Sequence, residues 1–295
     1  MARRFDDDDW EPTTVPDPFP TPDPDRDPDR DPELAEDVAW STYPHATRGP
    51  QPVPAWVVTD PRAIDTDLGV VKTGKEAELS LLRRAVPDEH TDPDGGARAC
   101  LLAAKRYRAH EHRLFHRDAA YLEGRRVRKS REMRAMRTRT DFGKALIADL
   151  WAGAEFAVLG RLWSAGAPVP YPVQLHGTEI LMEFIGTPDG VAAPRLAETR
   201  PTPAQARDWY EQLVEALGQL ADAGVAHGDL SAYNVLVDGE RLVLIDLPQV
   251  VDVVGNPQGF DFLRRDCDNV TTWFRGRGVD AGAGALYAEL AARIG

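Results

Sequence analysis

Cysteine is scarce: Cys100 and Cys267 are the only two in 295 residues, too few for a disulfide framework in a chain of this length. No apolar run approaches the ~18 residues of a membrane-crossing helix, and no apolar stretch near the N-terminus has the form of a secretory leader. These absences point to a reducing, cytoplasmic setting and away from a membrane. A positive overall balance is lacking too: the formal net charge of −13 argues against non-specific nucleic-acid binding by the chain as a whole. No internal repeat is visible. The length suits one bilobal unit or two smaller domains.

Charge is spread unevenly along the chain. Residues 1–50 hold 14 acidic and 5 basic side chains, and "TPDPDRDPDRDPELAED" alternates Pro with Asp while offering almost nothing to bury. Such a segment cannot offset its ordering entropy, so residues 1–50 read as a disordered, partly extended acidic arm. Residues 105–139 invert the balance, with 13 basic and 4 acidic side chains. The plain reading is a solvated helix face or a mobile basic segment over 108–142; the sharper one is a docking surface for a polyanion such as RNA. On that second reading the acidic arm folds back on the basic stretch and competes with the polyanion; otherwise it is a solubilising tail.

From Pro54 onward the chain reads as ordered. "AELSLLRRAV" (77–86) and "ARACLLAAKRYR" (97–108) predict strands joined by a turn-rich link, and residues 145–163 carry apolar positions at helical spacing. "PVQLHG" and "EILMEFIG" predict a second strand pair. A strong helix follows, with Thr202 as N-cap and Gly224 at its C-terminal stop. Two short apolar strands around a turn come next, then a final helical stretch from about Gly259 to Arg275. The order is a small sheet with one long helix, followed by mostly helix.

The strongest chemical signal is "HGDLSAYNVLV" followed by "LVLIDLP". Asp229 and Asn234 lie five residues apart on one loop, and Asp246 ends an apolar strand shortly afterwards. Mg²⁺ takes hard oxygen ligands and keeps few protein ones beside phosphate and water. Asn234 and Asp246 fit that role, while the Asp229 carboxylate suits orienting an attacking hydroxyl and accepting its proton. Taken singly, each residue is equally suited to stabilising a turn. A loop of this kinase type requires a strand lysine and a helix carboxylate upstream, and Lys105 and Glu155 answer to them. "LMEFIG" then falls where a strand leads into a hinge, so its backbone, across Glu183, Phe184 and Ile185, is placed to bond adenine, with Met182 at the back of that pocket.

These residues carry a resemblance to the RIO-type atypical protein kinases, of the subfamily nearest the first RIO kinase. "KTGKEAE" is similar to the family's nucleotide loop, "HGDLSAYN" to its catalytic loop, "IDLPQ" to its metal-binding strand end and "FLRRDCDNV" to its closing helix. The resemblance runs from about Trp56 to Gly276. It implies an α+β, bilobal protein-kinase-like fold: a small N-lobe sheet with one long helix over 54–186, and a reduced, mainly helical C-lobe over 187–295. It also implies that Lys105 and Asp229 are catalytic, that Asn234 and Asp246 hold the metal, and that ATP and Mg²⁺, or Mn²⁺ in its place, are the cofactors. The implied reaction moves the ATP γ-phosphoryl group to serine of an unidentified protein substrate, including the kinase itself, with ATP hydrolysis as an alternative main activity.

Departures and decoys sharpen this reading. Gly228 stands where ordinary protein kinases carry the arginine of HRD, and only 49 residues follow Asp246, too few for an activation segment and a full peptide-binding lobe. A literal DFG at Asp141–Gly143 precedes the catalytic loop and follows no apolar strand, so it is not the metal loop. His112 and His116 are one helical turn apart but lack a third ligand. The frame Gly69 to Lys75 falls one residue short of a Walker A motif, with Glu76 where Ser or Thr is needed. "DPRAIDTDL" precedes it rather than a buried strand, and a strand-like alternation follows instead of a helix. It reads as a β-hairpin turn, with Thr73, Gly74 and Lys75 over the ATP phosphates and Glu76 beside them. Two other classes stay open: a small-molecule phosphotransferase of the aminoglycoside or choline kinase kind, and an ATP-binding scaffold with little transfer.

Overall fold

Strand-forming alternation in 77–107 yields a pair of long antiparallel strands, and the rest of the N-lobe assembles on them. The computed structural model describes residues 38–74, 77–87, 97–108, 141–248 and 250–294, with only the backbone of 141–147. The strands are β1 (Val38–Trp40), β2 (Thr47–Arg48), β3 (Ile64–Thr73), β4 (Ala77–Ala85), β5 (Ala99–Tyr107), β6 (Pro172–His176) and β7 (Glu179–Glu183). They form one antiparallel sheet in the order β1-β3-β4-β5-β7-β6-β2. Period-two side-chain alternation gives the sheet two buried faces. Leu82, Leu102, Ala104 and Leu181 pack against Tyr43, Val57 and Tyr171 on one side. On the other, Ala103, Tyr107, Ile180 and Met182 join the main core with helix α1 (Asp141–Ser164).

Two boundaries differ from the sequence reading. Residues 38–50, read as part of the acidic arm, contribute β1 and β2: Val38 pairs with Thr66 and Trp40 with Ile64, while Thr47 pairs with Leu175. The physical reason is the change of composition at Val38, where Val, Trp and Tyr replace the Pro/Asp alternation; Tyr43 is buried. Helix α1 also begins at Asp141, so the literal DFG lies in its first turn and the last two residues of the segment 108–142 are helical. Residues 1–37 and the remainder of the basic segment from 109, His112 and His116 included, lie outside the described residues.

A buried polar network fastens the N-terminal segment to the sheet. Arg84, fully buried on β4, donates to both Asp65 oxygens at 2.7 and 2.8 Å and to Gln174 at 2.9 Å. Gln174 in turn donates to Thr42 at 2.7 Å. A buried charge persists only when paired in this way.

The C-lobe starts from helix α2 (Pro203–Asp222), whose Thr202 cap exchanges hydrogen bonds with Gln205 in a capping box. Gly224, with φ +74°, turns the chain out of it. Then come β8 (Val225–Ala226), the hairpin β9 (Val235–Asp238) and β10 (Arg241–Leu244), β11 (Val251–Asp252) beside β8, and helix α3 (Gly259–Arg275). A further helix, α4 (Ala283–Ile294), follows where the sequence reading ends its helices at 275. Only Leu286 and Leu290, one turn apart among Gly and Ala, are deeply buried there. Both cysteines are free. Among the described residues no helix is long and apolar enough to cross a membrane.

Candidate active site

Lys105 sits near the end of β5, opposite Leu79 of β4, on the sheet face that α1 covers. Its Nζ lies 2.6 Å from Glu155 Oε1, and Glu155 is only 2% exposed. The Tyr107 hydroxyl donates to the other Glu155 oxygen, so one helix carboxylate is held by two residues of one strand. Lys105 also reaches Asp246 Oδ1 at 3.3 Å. Burial opposes the charge on Lys105, yet Glu155 and then Asp246 outweigh it and hold the ammonium above the usual lysine pKa.

The loop bearing Asp229 is built from the C-lobe side. Asp266 on α3 is buried and accepts from Gly228 N–H at 2.8 Å and Leu230 N–H at 2.9 Å, the amides on either side of Asp229. Asn269 donates to Leu230 O at 2.9 Å, and the Arg265 guanidinium donates to Gly228 O. One helix face therefore fixes both peptides flanking Asp229, whose own side chain is left exposed. Burial pushes the Asp266 carboxyl above the ordinary carboxylate range, against the lowering effect of the two amides. Gly228 has φ +85°, a conformation that disfavours any side chain with a Cβ. That backbone accounts for a glycine where ordinary kinases have arginine.

Asn234 links this loop to the strand end. Its Nδ2 donates to Asp229 O at 2.8 Å, which leaves Oδ1 as the acceptor, and its own carbonyl accepts from Ile245 N–H at 3.0 Å. His227, fully buried, bonds the Ile245 carbonyl through Nε2 at 3.0 Å. Asp246 follows with φ +63°, alone among the described non-glycine residues in having a positive φ. Its side chain is about half exposed. Left-handed backbone at a non-glycine residue costs on the order of 1 kcal/mol or more, so the surrounding bonds hold Asp246 where relaxed chain would not.

The donor set fits magnesium by its chemistry. Asn234 supplies an amide oxygen and Asp246 an exposed carboxylate, hard ligands too few to enclose an ion without phosphate and water. Among the described residues no group of three or more His, Cys, Asp or Glu offers a self-sufficient metal site.

The remaining candidates lie on the hairpin and the hinge. Thr73 ends β3, and Gly74 N–H closes the turn on Ala77 O at 2.9 Å; Lys75 and Glu76 lie outside the described residues. β3 begins at Ile64, within the stretch that the sequence reading does not treat as a strand, but it is largely exposed and a strand rather than a helix follows it. At the hinge Met182 and Ile185 are buried, with Glu183 and Phe184 partly so. Glu183 accepts from Tyr171 N–H at 3.1 Å through its carboxylate, which burial pushes above its usual pKa. Ile185 O accepts from Ala193 N–H at 3.0 Å.

The structure thus brings Lys105, Glu155 and Asp246 into direct contact and joins Asp229 to Asn234. The sequence reading passes over Asp266, Asn269, Arg265 and Tyr107. Asp266 and Asn269 fall three apart within "FLRRDCDNV", a spacing that sets both on one helix face and is the signal from which they could be found.

Comparison with known proteins places the chain in a family. A family model described as the RIO domain matches residues 101–285. The RIO-type serine/threonine-protein kinase Rio1 of Haloferax volcanii is 37% identical over 225 residues, covering 76% of this chain and 68% of its own length. The serine/threonine-protein kinase RIO1 of Saccharomyces cerevisiae is 30% identical over 235 residues, 74% of this chain and 46% of the yeast protein. RIO3 of Bos taurus is 38% identical over 139 residues, 47% of this chain and 26% of that protein, so the chain matches under half the length of both eukaryotic relatives. Among solved structures, the Rio2 kinase–ADP/Mg²⁺–phosphoaspartate complex from Chaetomium thermophilum superposes with a TM-score of 0.53 at 22% identity, covering 77% of this chain and 60% of that one. With the RIO domain matched over more than half of its length and a relative 37% identical across most of both chains, the chain belongs to the family of RIO-type serine/threonine-protein kinases.

Proposed function

We propose that this chain transfers the γ-phosphoryl group of ATP to serine hydroxyls of protein, itself included. The observation that carries the reading is Lys105, which lies between Glu155 at 2.6 Å and Asp246 at 3.3 Å and so joins the N-lobe cation to the carboxylate after β10. In this reading Lys105 binds the α- and β-phosphates, oriented by Glu155. Thr73, Gly74, Lys75 and Glu76 cover the phosphates, the backbone of Glu183 to Ile185 takes the adenine edge, and Met182 stands at the back of that pocket. Asn234 and Asp246 hold Mg²⁺, or Mn²⁺ in its place, which when bound neutralises charge on the phosphate oxygens. Asp229 orients the acceptor hydroxyl and takes its proton. The substrate is a protein of unassigned identity, and the setting is the cytoplasm. Contact with RNA or another polyanion falls to the basic stretch 105–139.

ATP hydrolysis as the main activity is a second reading. It is favoured by the phosphoaspartate in the Rio2 complex together with two exposed aspartates here, Asp229 and Asp246. One experiment separates these readings: γ-labelled ATP and magnesium, supplied to wild type and to Asp246→Ala in the presence of a protein acceptor, choline or an aminoglycoside. Label on protein serine, lost in the variant, is expected. Free phosphate alone supports the hydrolysis reading, label on the small molecules overturns protein kinase activity, and no release at all leaves an ATP-binding scaffold.

A further inference from the structure

Residues 186–198 run from the hinge to the catalytic loop and are bonded to both. At the hinge end Gly186 pairs with Ala192, Thr187 N–H donates to Val191 O at 2.9 Å, and Ala193 N–H donates to Ile185 O at 3.0 Å. At the loop end Val237 N–H donates to Pro194 O at 2.9 Å, and Arg195 pairs with Leu236. The Glu198 carboxylate accepts the Arg195 N–H at 2.9 Å, and Leu196 is buried beneath. With its backbone fixed in this way, Arg195 donates from Nη1 to the Tyr233 carbonyl at 2.7 Å.

That carbonyl belongs to the peptide unit whose N–H is Asn234's own. Arg195 holds the oxygen of the unit, and Ser231 O holds its hydrogen at 3.0 Å. The orientation of this peptide helps to fix where Asn234 Cα and Cβ stand, and the Nδ2 bond to Asp229 O at 2.8 Å then sets which way the amide oxygen faces. A guanidinium near a cation-holding amide weakens cation binding by Coulomb's law; what Arg195 contributes there is geometry, through a charge-assisted hydrogen bond.

We propose that Arg195 is a positioning residue for Asn234, and that the strap 186–198 thereby couples the adenine hinge to the metal-holding end of the site. The inference rests on the kinase reading given above. Partners outside the ligand sphere of a metal commonly change its affinity by about 10- to 100-fold, and the same scale applies here.

The test is titration of a fluorescent ADP analogue onto wild type, Arg195→Ala, Arg195→Gln and Arg195→Lys, each with and without magnesium. Arg195→Ala reduces the magnesium-dependent gain in affinity about tenfold, while metal-free affinity stays within about twofold of wild type. Arg195→Lys, which keeps a charged donor for the Tyr233 carbonyl, recovers most of the gain. Arg195→Gln loses part of it and decides the question if the alanine variant does not fold. An equal loss with and without magnesium marks a merely structural role and overturns the proposal. A magnesium gain that is unchanged, or increased by removal of the positive charge, overturns it as well. Absence of any magnesium gain in wild type overturns the reading of the site itself, and the role of Arg195 with it.

Discussion

Lys105 Nζ and Glu155 Oε1 are 2.6 Å apart, and both side chains are largely withdrawn from solvent. Removing one partner of such a pair strands the other charge, at a cost of roughly 3–5 kcal/mol. Lys105→Met therefore lowers the unfolding midpoint as well as abolishing ATP-dependent labelling. The pair also has a pH signature. Because the folded pKa of Lys105 is raised, its stabilisation is complete below the ordinary lysine value and is lost as pH rises through the higher folded value. Urea unfolding on the alkaline side should show this loss in wild type and not in Lys105→Met; identical alkaline profiles would show that pairing of the Lys105 ammonium with Glu155 and Asp246 does not set the loss.

Asp266 acts on Asp229 only through the backbone. Asp266→Asn retains one carbonyl acceptor for the amides of Gly228 and Leu230 and releases the other. Misplacing a catalytic group by a fraction of the hydrogen-bond length scale costs up to about 10²-fold in rate, whereas Asp266 lies outside the proposed nucleotide contacts. Steady-state kinetics should accordingly show kcat reduced by about one to two orders of magnitude with KM for ATP little changed. A rise in KM at constant kcat would mean that α3 shapes nucleotide binding instead.

Asp229, Asn234 and Asp246 are legible in the sequence as one group because a single loop and the strand end after it carry all three. Lys105 and Glu155 are legible through context, one on a predicted strand and the other on a predicted helix. Asp266 is legible only as one of two polar residues three apart on α3; its partners are not, since they depend on which face of α3 meets a loop almost forty residues earlier. Nor is the folded state of residues 38–50, where composition averaged over an acidic arm conceals the few apolar residues that add to the sheet. Helix α4 escapes for a related reason: Leu286 and Leu290 are its two deeply buried leucines, and glycines and alanines around them weaken the periodic signal.

The left-handed backbone of Asp246 separates conformational strain from metal chemistry. Asp246→Ala and Asp246→Gly both delete the carboxylate and its 3.3 Å contact to Lys105, so both lose magnesium-dependent transfer. They differ in strain, because glycine accepts φ +63° freely and alanine only at a cost. The glycine variant should be the more stable by about 1 kcal/mol in chemical denaturation. Equal stabilities would show that Asp246 relaxes freely once its carboxylate is gone.

Gly228 offers the converse test, restoring the arginine found in ordinary kinases. Gly228→Arg forces a side chain onto backbone at φ +85°, which costs about 1–2 kcal/mol, and it strains an amide that Asp266 holds at 2.8 Å. Loss of both stability and transfer is expected, measured by thermal unfolding and by labelling. A variant as stable and active as wild type would show that the loop adopts another path without cost.

Truncation at the N-terminus tests where the folded unit begins. Deleting residues 1–37 stops short of β1, whereas deleting 1–50 removes β1, β2 and Tyr43 and leaves Gln174 without its Thr42 acceptor. The larger deletion also uncovers the buried Arg84–Asp65 pair, whose strength depends on exclusion of water. Loss of the buried contacts of one large aromatic side chain, Tyr43, alone forfeits about 1.5–3 kcal/mol, so the two truncations should differ by at least that amount in urea unfolding. Indistinguishable midpoints would mean that the sheet is complete without its first two strands.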